Sequence, residues 1–377
     1  MIYEDKPRAV ILSPTASQPR YHRRTAMLME AGYNVNVYAF QRSYYAENTY
    51  PETVEVIGLG EVESGRYFNR IPKLLQSVFR VRKHEKKHSK APAIIYAFGL
   101  DMALIGSLAM PRSTPLIYEI GDIRNPLPHN RLTQKIFAIF EKKVIARCQM
   151  LAVTSPGFIS DYFSLLDPGI GQKTMVIENK LAREVAAKFS RPMKPQVPSK
   201  PLKIGYIGFF KYKDCILPLI DAVSKRKGDF ELHFYGEGPL KKDILTYTAK
   251  HGNIFYHGSF ASSRDLQTIY ESVNLSYVVY DNRDANVQMA LPNKLYDGPY
   301  FGVPLVVAEN TLLAERVREL GIGLVVDPRA EGFADQLLDE LTPELLANLS
   351  AATLELELCH MVENYDDIIP KLIQLGK

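Results

Sequence analysis

The sequence predicts an α/β protein built from two doubly wound domains, each a parallel sheet covered by helices on both faces. Three observations predict it. Short β-branched runs alternate with amphipathic stretches almost throughout the 377 residues, which is the rhythm of βαβ units. A chain of that length exceeds what one hydrophobic core ordinarily supports. A proline-rich stretch, SRPMKPQVPSKP at residues 190–201, divides the strand series in two.

Before that stretch, strands are expected at residues 9–13, 34–40, 93–98, 116–120 and 150–154. After it they are expected at 203–208, 231–235, 254–257, 275–279, 304–307 and 323–326. The outcome is two Rossmann-like domains, 1–190 and 202–358, joined by a linker at 191–201 and followed by a helical segment at 359–377. Their sheets are expected to turn carboxyl ends toward a central cleft, where open α/β sheets take ligands.

Composition narrows the classes. The chain is 46% hydrophobic and 23% charged, as in globular proteins. The apolar stretch at 103–110 is too short to span a bilayer and reads as a buried helix. Glu4 and Asp5 precede the first strand, so the opening lacks the layout of a signal peptide and a cytoplasmic location is expected. Cys148, Cys215 and Cys359 form no CxxC and no ligand spacing, so free thiols and no metal are expected. Residues 1–200 hold 29 Lys+Arg against 17 Asp+Glu, a net +12, whereas residues 201–377 hold 17 against 25, a net −8. The basic half favours an anionic partner. Without a recognition module, nucleic acid is set aside, leaving an anionic membrane surface or a phosphorylated acceptor.

In the second half, KIGYIGFFKYKD (203–214) is a strand that ends at Gly208 and opens into a lysine-bearing loop before a helix. Glycine lets the backbone approach a ligand there, and Lys211 and Lys213 can meet a pyrophosphate near the helix N-terminus. A turn with solvated lysines has the same sequence. LHFYGEGPLKKDI (232–244) sets Gly236, Glu237 and Gly238 between a strand and a helix, where geometry alone can ask for glycine. In LPNKLYDGPYFGVPLVVAEN (291–310), Asn293, Lys294 and Asp297 open a helix that Gly302 ends. An acid there can accept both ribose hydroxyls while the lysine addresses phosphate, or the three can simply cap the helix.

Taken in order, the IGYIG strand, the Lys213 loop, the YGEGP turn, the HGSF strand end, the PNKLYDGPYFGVP helix and the GIGLVVDP strand resemble glycosyltransferase family 4 and related GT-B enzymes of bacterial surface-polysaccharide assembly. The resemblance covers most of residues 203–328. It implies the GT-B architecture, with an acceptor-binding first domain, a nucleotide-sugar-binding second domain and a last helix that returns to the first. It further implies a UDP- or GDP-linked sugar as donor substrate, no cofactor, Asp297 (usually glutamate in the family) on the ribose and Lys213 on the diphosphate. Two positions depart from the family pattern. A second glutamate of the family falls on Met289, and its arginine after the strand glycine falls on Phe209 or Phe210. Asn286 and Gln288, with Asn282 and Arg283, are the polar residues left to recognise the sugar.

The first half matches the same family more loosely. SPTASQPRYHRR (13–24) places Arg20, His22 and Arg24 at the start of a long helix, suited to an anionic acceptor group or to a basic face in solvent. Asp122, just after the PLIYEI strand, is a candidate general base and equally a turn cap. Strand alternation turns Glu119 away. Residues 66–90 form a basic amphipathic helix, fit either to lie on anionic lipid at the inner face of a plasma membrane or to pack on the sheet. The expected activity is hexosyl transfer from a nucleotide diphosphate sugar to a lipid-linked or polysaccharide acceptor. A non-catalytic GT-B-like partner subunit and a sugar-nucleotide epimerase are the alternatives.

Overall fold

Seven parallel strands form the first sheet of the computed structural model, which describes residues 6–41, 50–61, 71–123 and 131–377. They are β1 (Arg8–Ser13), β2 (Asn34–Gln41), β3 (Glu55–Glu61), β4 (Ile94–Phe98), β5 (Leu116–Ile120), β6 (Met150–Val153) and β7 (Thr174–Val176), in the spatial order β3-β2-β1-β4-β5-β6-β7. Ala9 to Leu12 of β1 and all of β4 are buried because helices cover both faces. Burial of that kind contributes roughly 1.5–3 kcal/mol per large aliphatic side chain. The sequence did not reveal β3, whose EVIGLGE mixes two glycines and two acids with its apolar residues, or β7, which is only three residues long.

The second sheet has six parallel strands, β8 (Leu202–Phe209), β9 (Phe230–Glu237), β10 (Ile254–Gly258), β11 (Leu275–Val278), β12 (Leu305–Ala308) and β13 (Gly323–Val326). Their order is β10-β9-β8-β11-β12-β13. In each sheet the order reverses once, between β1 and β4 in the first and between β8 and β11 in the second.

The chain divides into two compact units, 1–177 with 364–377, and 178–363. The crossing therefore falls before the expected linker, for a physical reason. The proline-rich stretch is strapped to the second unit, where Arg191 Nη2 donates to the carbonyls of Thr353 and Leu354, both at 3.0 Å, and Gln196 N donates to Ser350 Oγ at 3.0 Å. The returning segment, with its helix Ile369–Leu375, belongs to the first unit: Leu372 is fully buried in that core, and Tyr33 donates its hydroxyl to the Leu372 carbonyl at 2.8 Å. Within the second unit the outgoing and returning chains run side by side, bridged between Leu181 and Val362. All three cysteines are free. Among the described residues no helix is long and apolar enough to cross a membrane.

Candidate functional site

Open parallel sheets take ligands beyond their carboxyl ends at the point where strand order reverses. In the second unit that point lies between β8 and β11, so the loops that follow these strands border it. The close pairing of β8 with β9 dictates the glycines there. A β-carbon on Gly236 (φ 136°) would lie 1.9 Å from the Gly208 carbonyl oxygen, and one on Gly238 (φ 158°) 2.4 Å from Phe210 N. Phe210 N donates to the Glu237 carbonyl at 2.9 Å, and Leu240 N returns a bond to Phe210 O at 3.2 Å. The Glu237 carboxylate is engaged as well. Its Oε1 accepts from Lys241 Nζ (3.0 Å), Tyr256 OH (2.9 Å) and Ser259 Oγ (3.0 Å). The Lys241 bond first, then the tyrosine, hold its pKa below the usual range.

Beyond Gly208 the chain exposes Phe209, Lys211 and Lys213, the last being the first residue of the helix Lys213–Ser224. The Lys211 ammonium lies 4.6 Å from the Tyr212 ring centroid, and Tyr212 stacks on Tyr280 at 4.9 Å. Arg283, in the loop after β11, pairs with Asp214 at 3.0 Å and with Asp281 at 2.8 Å. The stacked tyrosines and this arginine bind the two bordering loops together across the reversal. Neither tyrosine was singled out in the sequence, where a lone aromatic beside a lysine carries no signal of its distant partner.

The following loop uses its polar groups internally. Asp284 caps the helix Ala285–Met289 by accepting from Asn286 N at 2.9 Å, and Gln288 Nε2 donates to the Asn282 carbonyl at 2.9 Å. Asn282 is buried and donates Nδ2 to the Glu309 carbonyl at 3.0 Å, while its buried Oδ1 has no hydrogen-bond partner. Of the polar residues expected to read a sugar, Asn282 is thus the one with a buried acceptor left over.

Asp297 sits in the helix Lys294–Tyr300, every residue of which is buried. Its Oδ2 accepts from Asn293 Nδ2 at 3.1 Å and from Lys294 Nζ at 3.2 Å. The expectation that Lys294 addresses phosphate is corrected here: its side chain is 6% exposed and its ammonium is turned back on Asp297, one helical turn away. The exposed lysines in the loop after β8 are Lys211 and Lys213. Asp297 is close enough to Tyr280 and Tyr270 to help burial, the larger cause, raise their phenol pKa values.

In the first unit the expected acceptor residues separate. The helix Pro19–Glu30 buries Tyr21, Arg24, Thr25, Met27 and Leu28. Arg24 is therefore a core residue, not a substrate contact, and that expectation is corrected. Its guanidinium is fully buried and bonds Glu119 through Nε at 2.9 Å and Nη2 at 3.3 Å, the Ile177 carbonyl at 3.3 Å and Tyr365 OH at 3.4 Å. Tyr96 donates its hydroxyl to the same carboxylate. Burial works against the Arg24 charge, but the Glu119 carboxylate outweighs it and keeps the guanidinium protonated. Glu119 does turn away from the strand end, into this pair.

Arg20, one turn earlier, reaches the carboxyl end of β5, where its guanidinium fills the space beside Gly121. A β-carbon on that glycine would lie 1.4 Å from Arg20 Nη1. Asp122, the next residue, is exposed. His22 is half-buried with its ring 4.0 Å from that of Tyr50, and burial, only partly countered by a backbone bond at Ala16, lowers its pKa. Arg20 and Asp122 thus share a strand end, while His22 and Arg24 are directed elsewhere by the helical repeat.

On one face of the first unit, the helix Gly99–Ala109 packs against the helices Ile71–Glu85 and Arg131–Arg147. The three expose Leu75, Phe79, Leu108, Ile136, Ile139 and Phe140. Arg80, Arg82, Lys83, Lys86, Lys87, Lys142 and Lys143 are exposed on or just after the outer two. Residues 66–70 of the expected amphipathic helix lie outside the described residues, and the helix Arg131–Arg147 was not recognised as part of this face.

Residues 201–342 match the family described as "Glycosyl transferases group 1". The chain is 26% identical over 348 residues to the succinoglycan biosynthesis protein ExoL of Rhizobium meliloti (strain 1021), across 89% of this chain and 85% of that one. Its fold is similar to that of a sucrose-phosphate synthase from Thermosynechococcus elongatus, with a TM-score of 0.69 at 14% identity over 98% of each chain. It is also similar to Anabaena Alr3699/HepE solved in complex with UDP, with a TM-score of 0.62 at 14% identity over 97% of this chain and 99% of that one.

Proposed function

We propose that this chain, whose residues 201–342 match the group 1 glycosyl transferases, is a GT-B glycosyltransferase that moves a hexosyl residue from a UDP- or GDP-linked sugar to a lipid-linked or polysaccharide acceptor, the second unit binding the donor and the first the acceptor. The observation that carries the donor assignment is the pair of exposed lysines, Lys211 and Lys213, at the strand-order reversal beside the start of the helix Lys213–Ser224. The succinoglycan role of the ExoL relative supports a saccharide acceptor, and the UDP complex of the HepE neighbour supports a uridine nucleotide.

In this reading the acceptor hydroxyl oxygen attacks the anomeric carbon as the bond from that carbon to the diphosphate oxygen breaks. Asp122 takes the hydroxyl proton. The diphosphate leaves with the electron pair, and Lys211, Lys213 and the helix N-terminus offset its growing charge. No step is routed through a metal ion. Asp297, which Asn293 and Lys294 already bond, is assigned to the ribose hydroxyls through the resemblance of its helix to that of the family. Asn282 Oδ1 offers an acceptor to a donor hydroxyl, and Arg20 meets an acidic group on the acceptor.

Isothermal titration with UDP, GDP and their monophosphates tests the assignment. Asp297→Ala should weaken diphosphate binding at least about tenfold, the worth of one charge-assisted bond. Lys213→Ala should weaken diphosphate binding more than monophosphate binding. Folded variants that both bind like wild type would misplace the donor site. Intact nucleotide binding without donor turnover would instead mark a non-catalytic subunit.

The face bearing Leu75, Phe79, Ile139 and Phe140 among lysines and arginines supports an anionic membrane as the surface on which a lipid-linked acceptor is met. Each cation near such a surface contributes about 1 kcal/mol. Replacing Lys83, Lys86 and Lys87 with glutamate should therefore abolish co-sedimentation with anionic liposomes at low salt. Wild-type protein that ignores those liposomes would remove the membrane from this proposal.

A further inference from the structure

At the amino edge of the first sheet, opposite the edge that carries Gly121 and Asp122, lies a cluster that no step above uses. Glu55 opens β3. His84 lies in the last turn of the helix Ile71–Glu85, and His88 follows one turn later, where Lys86 N to Arg82 O (3.1 Å) and His88 N to Glu85 O (3.1 Å) continue the coil. Spacing of four residues puts both imidazoles on one side of that coil, with ring centroids 5.5 Å apart. One ligand atom from each of Glu55, His84 and His88 lies within 4.8 Å of the other two.

The surrounding hydrogen bonds set the His84 tautomer. The Glu85 carboxylate accepts two bonds from Arg8, at 2.9 and 2.7 Å, and a third from Tyr38. The single Tyr38 hydroxyl proton therefore goes to Glu85 Oε1, 2.5 Å away. The Tyr38 oxygen, 2.8 Å from His84 Nδ1, is left to accept from that nitrogen. With Nδ1 as the donor, a neutral His84 carries its lone pair on Nε2, the atom that lies 3.4 Å from Glu55 Oε1. The Nε2 atom of His88 is buried and has no hydrogen-bond partner. A tetrahedral zinc ion with ligands at about 2.1 Å holds them about 3.4 Å apart, the separation already found between His84 and Glu55.

We propose that Glu55, His84 and His88 bind a zinc-class divalent cation. Tyr38 orients His84 from behind, as outer-shell partners of metal-bound imidazoles do, and Asn36 Nδ2 steadies Glu55 through Oε2 at 2.6 Å. Glu55 is 54% exposed, so water can complete the coordination. Two nitrogens and a carboxylate oxygen suit zinc better than magnesium or calcium, which take oxygen ligands. The ion would tie the edge strand β3 to the helix that covers it, independently of the transfer chemistry.

Zinc chloride titrated into chelator-treated full-length protein is expected to bind one to one by calorimetry and to raise the melting temperature. His84→Gln and His88→Gln should each weaken that site by about a hundredfold or more, and Tyr38→Phe by about tenfold. X-ray absorption on the wild-type zinc complex should show imidazole and oxygen neighbours without sulfur, a result that needs no variant to fold. Zinc affinity unchanged in both histidine variants would overturn the proposal. So would sulfur in the coordination shell, which would assign the ion to the exposed group Glu357, Cys359 and His360.

Discussion

Gly121 follows the carboxyl end of β5 in the first unit and Gly236 is the penultimate residue of β9 in the second, yet the two glycines answer to different neighbours. Gly236 is held by main chain, because a β-carbon would run into the Gly208 carbonyl of the adjoining strand. Gly121 is held by a side chain, because the same atom would run into the guanidinium of Arg20. Main chain paired in a ladder cannot step aside, whereas the tip of an arginine can. One glycine is therefore a condition of the fold, and the other a condition of where a cation stands. The cations differ in the same way. Lys211 and Lys213 follow the strand in a loop and are both exposed. Arg20 and Arg24 share a helix whose period sends one to the sheet edge and the other into the core.

The largest expected effect concerns that buried member. Arg24→Ala leaves the Glu119 carboxylate buried and unpaired, and should cost about 3–5 kcal/mol in urea denaturation. Arg24→Met combined with Glu119→Leu should lose far less. A small loss in the single variant would return Arg24 to the surface and erase the contrast with Arg20. Next comes Gly236→Ala, where positive φ and a backbone clash combine; a loss of at least about 2 kcal/mol is expected. The smallest change in stability belongs to Gly121→Ala, within about 0.5 kcal/mol, because Arg20 swings away. That variant should nevertheless lower turnover by raising the acceptor KM while nucleotide affinity stays at the wild-type value. A folded Gly236→Ala as stable as Gly121→Ala would show that the two strand ends are not held differently.

Most of the fold could be read from the sequence, since eleven of its strands are apolar runs of which the main ones are buried on both faces. β3 escaped because two glycines and two terminal acids leave it only a short apolar run, and β7 because three residues carry no period. The reversal in the second unit was legible through its glycine-ended strands and lysine loop. Contacts between residues far apart in sequence were not. Nothing near Arg24 announces Glu119, 95 positions away, and nothing near Tyr212 announces Tyr280. The crossing between units was misread because proline content signals an exposed strap whether or not its backbone is bonded to a neighbour. His84 and His88 went unremarked because their third companion lies on β3, the strand that was missed.

The Arg24 cluster also governs the order in which the protein can be completed. Its guanidinium bonds Ile177, the last residue before the chain leaves the first unit, and Tyr365, the second residue after it returns. The second unit is one uninterrupted stretch and can fold as soon as it leaves the ribosome. The first unit cannot. Its opening strands are synthesised first, but Arg24 must wait for Tyr365, 341 positions later, and Tyr33 for the Leu372 carbonyl, 339 positions later. The half made earliest is thus finished latest, and until then a charged arginine and an open apolar core face solvent.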